Sequence, residues 1–310
     1  LRPPQHCQTT EEKIAQILIE RLWKEYSATI PNIDAILLHQ EPILDHLAIV
    51  DLPSAFSGIK QLSEIFKMLG YQQRGSDYLP DKMNDFCWLT HHSNCDTKAK
   101  EALPQIVCGD FRLSELSIVS QNIIMKYTAH IKPFDLSKLY DLIQQASKGQ
   151  QECIAQAADL IFNYIYRRKW PLPTLAEYKQ INEENPLLAW VLIFGSKVNH
   201  FGLSIHLMEN FTSLDEYNHY LMRHQLVEFN NKGGFIKGGK ECGIEQSSSL
   251  GQHITLEIEG GKATLNDSFI EFVWRHSLKP NPIMWADYYT NFIAQNANQV
   301  VESLYHFVQE

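Results

Sequence analysis

Two histidines and one glutamate sit in runs where polar side chains are uncommon. His46 lies in Leu44-Asp45-His46-Leu47-Ala48-Ile49 and His200 in Val198-Asn199-His200-Phe201-Gly202-Leu203. Glu271 lies in Phe269-Ile270-Glu271-Phe272-Val273-Trp274-Arg275. The runs are apolar, with β-branched and aromatic residues, as in buried strands. A carboxylate amid aromatic residues is costly unless paired or metal-bound. Two imidazoles and one carboxylate make a ligand set that leaves positions open on a divalent metal, the set of non-heme Fe(II) oxygenases. The same residues also admit plainer readings. Each histidine alone fits a hydrogen-bonded core residue. Glu271 shares a strand face with Arg275 and fits an ion pair with it. Spacing along the chain does not decide between these.

The elements that must position the three residues read as follows. A helix over 10–27 opens on Thr10 as N-cap, with an apolar face of Ile14, Ile17, Leu18, Leu22 and Trp23. A strand over 44–52 is followed by a helix over 54–69 closed by Gly70. Strands follow at 71–78, 85–90 and 105–113. Residues 114–183 carry helical periodicity, and a further helix starts at 175 and runs to 195. A strand-like run at 197–207 then precedes a helix at 213–224. The glycine-rich 229–239 reads as a hairpin or a lid over the site. A strand, Gly260-Gly261 turn and strand lead to a last strand at 269–275. Residues 285–307 read as one long helix. Strand, helix, strands thus occurs twice. The predicted fold is α+β in a single domain of residues 1–310. Two βαβββ-like repeats, 44–113 and 197–276, form a curved mixed sheet. They are joined by a helical insert, 114–195, and flanked by a helical N-terminus and a C-terminal helix, 284–308.

Composition excludes several function classes. The 310 residues are 44% hydrophobic and 20% charged, as in ordinary globular chains. The formal net charge is -9, and the densest basic run is only Arg167-Arg168-Lys169. That is no footprint for nucleic acid. Six cysteines without a C-x-x-C pair fit reduced thiols in a cytoplasmic protein better than a zinc ribbon. No apolar run is long enough to span a bilayer, and the first residues lack a signal-peptide core. Oligomeric state is not legible.

Several of these stretches resemble a known family. Leu188-Ala189-Trp190-Val191-Leu192-Ile193-Phe194-Gly195, followed by Val198-Asn199-His200-Phe201, is similar to the signature of the DUF1338 family. Its characterised members are 2-oxoadipate dioxygenase/decarboxylases. Further matches, in order, are Leu44-Asp45-His46-Leu47-Ala48, Leu69-Gly70-Tyr71, Asn231-Lys232-Gly233-Gly234-Phe235-Ile236-Lys237-Gly238, Ile244-Glu245-Gln246-Ser247-Ser248-Ser249 and Ile270-Glu271-Phe272-Val273-Trp274-Arg275. The resemblance implies a vicinal-oxygen-chelate fold. It also implies metal ligation by His46, His200 and Glu271, with Fe(II) as the metal, although such ligands suit other divalent ions. The implied reaction is 2-oxoadipate plus O₂ giving 2-hydroxyglutarate and CO₂. The small-molecule partners are then a 2-oxo acid and O₂.

One position departs from the family pattern. Where the decarboxylases carry a substrate-binding arginine, four residues after the first metal histidine, this chain has Val50. A second carboxylate on the substrate then needs another partner. Arg275, Lys237, Lys240 and Arg112 are the candidate cations, and Gln246, Ser247 and Ser248 the candidate hydrogen-bonding groups. The same metal set also serves an O₂-independent, glyoxalase- or hydrolase-like enzyme using the metal as a Lewis acid. A non-catalytic binding protein is the third reading.

Overall fold

The structure, a computed structural model, describes residues 9–305. Helix α1 (Thr10–Ser27) is capped by Thr9, one residue before the cap read from sequence. Thr9 and Glu12 exchange side-chain-to-backbone hydrogen bonds, so two free amide donors are satisfied reciprocally. The short α2 (Ile33–Ile36) leads into the first repeat: β1 (Leu44–Val50), α3 (Ile59–Met68), β2 (Tyr71–Leu79), β3 (Asn84–His91) and β4 (Gln105–Phe111). Five helices follow, α4 (Ile118–Thr128), α5 (Leu136–Ser147), α6 (Glu152–Tyr166), α7 (Leu175–Glu184) and α8 (Pro186–Phe194). The second repeat is β5 (Val198–Ser204), α9 (Leu214–Arg223), β6 (Lys237–Gly239), β7 (Ile244–Ser248), a hairpin of β8 (His253–Ile258) and β9 (Gly261–Asn266), and β10 (Phe269–Arg275). Helix α10 (Ala294–Val300) comes last.

Eight strands make one curled, mixed sheet in the order β2-β3-β4-β1-β5-β10-β7-β6. The order is symmetric about the antiparallel β1–β5 pair. On one side β1 pairs with β4 in parallel, and on the other β5 pairs with β10 in parallel. The fold class is therefore α+β, a half-barrel sheet with helices.

Period-two alternation assigns the two faces. Leu47 and Ile49, Phe201 and Leu203, and Ile270 and Phe272 point into one large core with α1, α3, α5, α6 and α9. Their neighbours His46, Ala48 and Val50, His200, and Phe269, Glu271 and Val273 face the other way. That second face is closed by a separate core containing α8 and Val300 of α10. Of the described residues, no helix is long and apolar enough to cross a membrane.

The C-terminal segment corrects the sequence reading. There is no single helix over 285–307. Trp285–Asp287 is one 3-10 turn, residues 288–293 lie outside any helix, α10 spans Ala294–Val300, and Val301–Leu304 is again 3-10. Residues 306 and 307 lie outside the described range. The helix breaks because its carbonyls are used elsewhere: Arg275 takes those of Tyr289 and Asn291, both at 3.0 Å. The glycine-rich segment is not the site's cover either. It packs outside α10, where a Cβ on Gly233 would meet Gln299.

Candidate metal centre

The central strand pair brings the three residues together by register. His46 of β1 lies opposite Gly202 of β5, and Glu271 of β10 lies on the other side of the same Gly202. His200 is two residues along β5, opposite Ala48. Gly202 is thus the floor between the ligand candidates. A Cβ there would lie 2.4 Å from Cε1 and 2.6 Å from Nδ1 of His46. Glycine is required here for space, so that the imidazole can lie across the strand.

Two β-bulges orient the imidazoles. The β1–β5 register skips Asp45, between Leu44 and His46, and skips Asn199, between Val198 and His200. Each extra residue turns its side chain toward the histidine that follows it. Nδ1 of His46 lies 2.8 Å from Asp45 Oδ1, and Nδ1 of His200 lies 2.5 Å from Asn199 Oδ1. A carboxylate or amide oxygen only accepts, so Nδ1 carries the proton and each Nε2 presents a lone pair.

The two Nε2 atoms lie 3.3 Å apart, and Glu271 Oε2 lies 3.5 Å from that of His46 and 3.3 Å from that of His200. Ligand atoms about 2.0–2.2 Å from one ion stand roughly 3 Å apart. The triangle therefore needs only a small contraction to close on a single metal. The other carboxylate oxygen, Oε1, accepts from Gln246 Nε2 at 2.7 Å, and Gln246 Oε1 accepts from Asn296 of α10 at 2.9 Å. Among the described residues this is the one cluster of three such side chains close enough for an ion.

Charge favours a dication. Burial by itself would raise the Glu271 carboxyl, but His46 and His200 outweigh it and hold the group below the ordinary carboxylate range. Burial by itself would lower His46, but Glu271 and Asp45 outweigh it and raise the imidazole to about 9. His200 is lowered, chiefly by burial. The triangle draws a proton in the absence of metal, which is the electrostatic condition for a cation. Asp45 is itself held ionised against burial by Arg275, whose Nε and one terminal nitrogen reach its two oxygens at 2.7 and 2.9 Å.

The pseudo-symmetry shows where the set stays open. Gly202 pairs with Glu271, and its counterpart Ala48 pairs with Val107. Val107 therefore occupies in the first repeat the place of Glu271 in the second, and offers no ligand. Val107 instead lines a cavity of about 50 Å³ over the triad, with Val50, Leu79, Phe86, Leu187 and Phe292. Asn199 reaches the same cavity, and its Nδ2 is a buried donor without a partner.

The other residues singled out from sequence divide clearly. Val50 and Gln246 line the cavity. Arg275 lies outside the cavity lining: besides Asp45 it holds Gln105 and the Tyr289 and Asn291 carbonyls. It does not pair with Glu271. Arg112 is exposed, bound to Asp85 at 2.7 and 2.8 Å and stacked on Tyr78. Lys237 is buried with Nζ donating to Asn230 O at 2.7 Å, outside the cavity lining, and Lys240 is exposed. Ser247 points to the opposite face, donating to Asn218 of α9, and Ser248 contacts Ser303. Asp45, Asn199 and Gly202 went unassigned from sequence. The signal that marks the first two is Asx-His, repeated once in the opening strand of each repeat.

The sequence profile of 2-oxoadipate dioxygenase/decarboxylases matches residues 14–303. The chain belongs to the 2-oxoadipate dioxygenase/decarboxylase family. A relative of that name from Oryza sativa subsp. japonica, chloroplastic/amyloplastic, is 25% identical over 236 residues. The alignment covers 74% of this chain but only 59% of the rice protein. The solved hydroxyglutarate synthase of Oryza sativa, crystallised with 2-oxoadipate, has the same fold: TM-score 0.75, 22% identity, 96% of this chain and 93% of that one. A protein described as belonging to the glyoxalase superfamily, from Ralstonia eutropha JMP134, matches with TM-score 0.70 at 17% identity, over 86% and 84% of the two chains.

Proposed function

We propose that this chain is an Fe(II)-dependent dioxygenase/decarboxylase acting on 2-oxoadipate or a related 2-oxo acid. O₂ is the co-substrate, and the products are CO₂ and a hydroxy acid one carbon shorter. With 2-oxoadipate the product is 2-hydroxyglutarate. The observation that carries the reading is the buried triangle of His46, His200 and Glu271 beside an apolar cavity. These residues would hold the metal. When bound, Fe(II) supplies the Lewis acidity and one-electron chemistry that O₂ activation needs.

The chain's own groups do the rest. Asp45 and Asn199 keep the Nδ1 protons in place, so both Nε2 atoms stay available. Gln246 fixes Glu271 with one oxygen toward the histidines. The free Asn199 Nδ2 donates to an oxygen of the acid, which removes the cost of an unpaired buried amide, about 1–3 kcal/mol. Val50, Phe86, Val107 and Leu187 keep water away from the reacting carbons. Phe292 and α10 cover the cavity and must move for the acid to enter. We place the activity in the cytoplasm, in keeping with free cysteines at 87, 95, 108, 153 and 242.

The test is O₂ consumption by Fe(II)-reconstituted protein over a panel of 2-oxo acids, with His200→Ala as control. Uptake with one acid, absent in the variant, supports the reading. A panel with no uptake by metal-loaded protein overturns it in favour of an O₂-independent metal enzyme.

A further inference from the structure

The cavity wall bears on the tail of the acid, given the reaction class proposed above. The polar side chains at the cavity, apart from the triad, are Asn84, Asn199 and Gln246. Gln246 is used at both ends, by Glu271 and Asn296. Asn84 Nδ2 donates to the Asp110 carbonyl at 2.8 Å. Asn84 keeps a second amide hydrogen, and Asn199 Nδ2 is buried without a partner; both are neutral groups that cannot offset a charge. Away from the triad the wall is Val50, Leu79, Phe86, Val107, Leu187 and Val300, with Asn84 as its one polar side chain among the described residues.

Among the described residues no lysine or arginine lines this cavity. The nearby buried cations are committed elsewhere: Arg275 to Asp45, Lys82 to Glu302 at 2.8 Å, and Lys237 to the Asn230 carbonyl. A second carboxylate placed here would lose its water and gain no counter-charge. An alkyl group gains by the same burial.

The geometry points to a 2-oxo acid with an uncharged aliphatic tail as the substrate, in place of a dicarboxylate. The tail points along β1 past Ala48 toward Val50, on the same face as His46. The balanced reaction is R-CH₂-CO-COO⁻ + O₂ → R-CH(OH)-COO⁻ + CO₂. The C1–C2 bond breaks and C1 leaves as CO₂. One oxygen atom joins C2 to complete the new carboxylate, and the other enters a C3–H bond as hydroxyl. Oxidation at C2 and C3 supplies two electrons each, the four that O₂ takes up, so no further reductant is needed.

The test is calorimetric titration of anaerobic, Fe(II)-loaded protein with 4-methyl-2-oxopentanoate and with 2-oxoadipate, for wild type and Val50→Arg. The expected result is tighter binding of the aliphatic acid by wild type, by about a hundredfold, the scale of an unpaired buried charge. Val50→Arg should shift the preference toward the diacid by at least about tenfold. Equal or tighter binding of 2-oxoadipate by wild type overturns the proposal, and so does heat from neither acid. The wild-type comparison decides even if the arginine variant does not fold. O₂ uptake measured in parallel separates the two claims. Selective binding of the aliphatic acid without uptake sinks the reaction class and leaves the tail assignment standing.

Discussion

Replacing Gly202 with alanine tests the site through one methyl group. The new Cβ would stand 2.4 Å from Cε1 and 2.6 Å from Nδ1 of His46, and 3.1 Å from Val273 Cγ2. Relaxed carbon contacts are about 3.5–4.0 Å, so the ring must retreat by roughly 1 Å. Its other neighbours hold it in place. Asp45 grips Nδ1 at 2.8 Å, Arg275 grips Asp45, and the ring meets Phe292 edge-on with centroids 4.9 Å apart. Metal–ligand distances tolerate only about 0.2 Å. Losing an orienting partner alone costs about 10–100-fold in metal affinity. Displacing the ligand should cost at least the upper figure, about 2.8 kcal/mol. The assay is an anaerobic competition titration against a chromophoric chelator, with circular dichroism to check the fold. Combining Gly202→Ala with His46→Ala completes the logic. If the methyl acts by pushing His46, it adds little once that ring is gone. Wild-type metal affinity in Gly202→Ala, or the same extra loss in the His46→Ala background, refutes the reasoning.

Three further outcomes follow. Arg275→Met strands the buried Asp45 carboxylate and frees the Tyr289 and Asn291 carbonyls, so unfolding free energy should drop by about 3–5 kcal/mol in denaturant melts. Arg275→Lys should recover only part of it, since lysine lacks the bidentate fork. The Asp110 carboxyl, which accepts from the Ile59 amide at the start of α3, is raised from 3.8 to about 6, chiefly by burial. A raised carboxyl favours the folded state below its unfolded value, and that contribution is lost as pH rises through the folded value. Wild type should therefore lose up to about 3 kcal/mol relative to Asp110→Asn between pH 4 and 6, and run parallel to it above that. Flat behaviour of the pair across that window contradicts it. Metal at a hundred times its dissociation constant should stabilise the protein by about 2.7 kcal/mol. A chelator should reverse the shift in melting temperature, and His200→Ala should show no shift.

The sheet was legible because its strands bury one face, and period-two alternation survives in Leu47 and Ile49 against His46, Ala48 and Val50. The three chemically unusual residues were visible for the same reason: a polar group in an apolar strand stands out. What sequence did not yield was register. The skips at Asp45 and Asn199 decide which atoms meet, and a bulge leaves no periodic trace. Arg275 shows the cost of that gap. As a cation on the Glu271 face it reads as a substrate anchor, but the strand order gives it Asp45 of β1, across the one intervening strand β5. Likewise 285–307 reads as one helix, yet Arg275 claims the Tyr289 and Asn291 carbonyls that a long helix would need.

The most direct test of the central claim is to run the reaction of the accepted acid under ¹⁸O₂ and weigh the product. The account predicts two labelled oxygens in each hydroxy acid, one in the carboxylate and one in the hydroxyl, with one CO₂ released per O₂ consumed. A product formed without label, with O₂ unconsumed, would contradict it and assign the His46, His200 and Glu271 centre to O₂-independent chemistry.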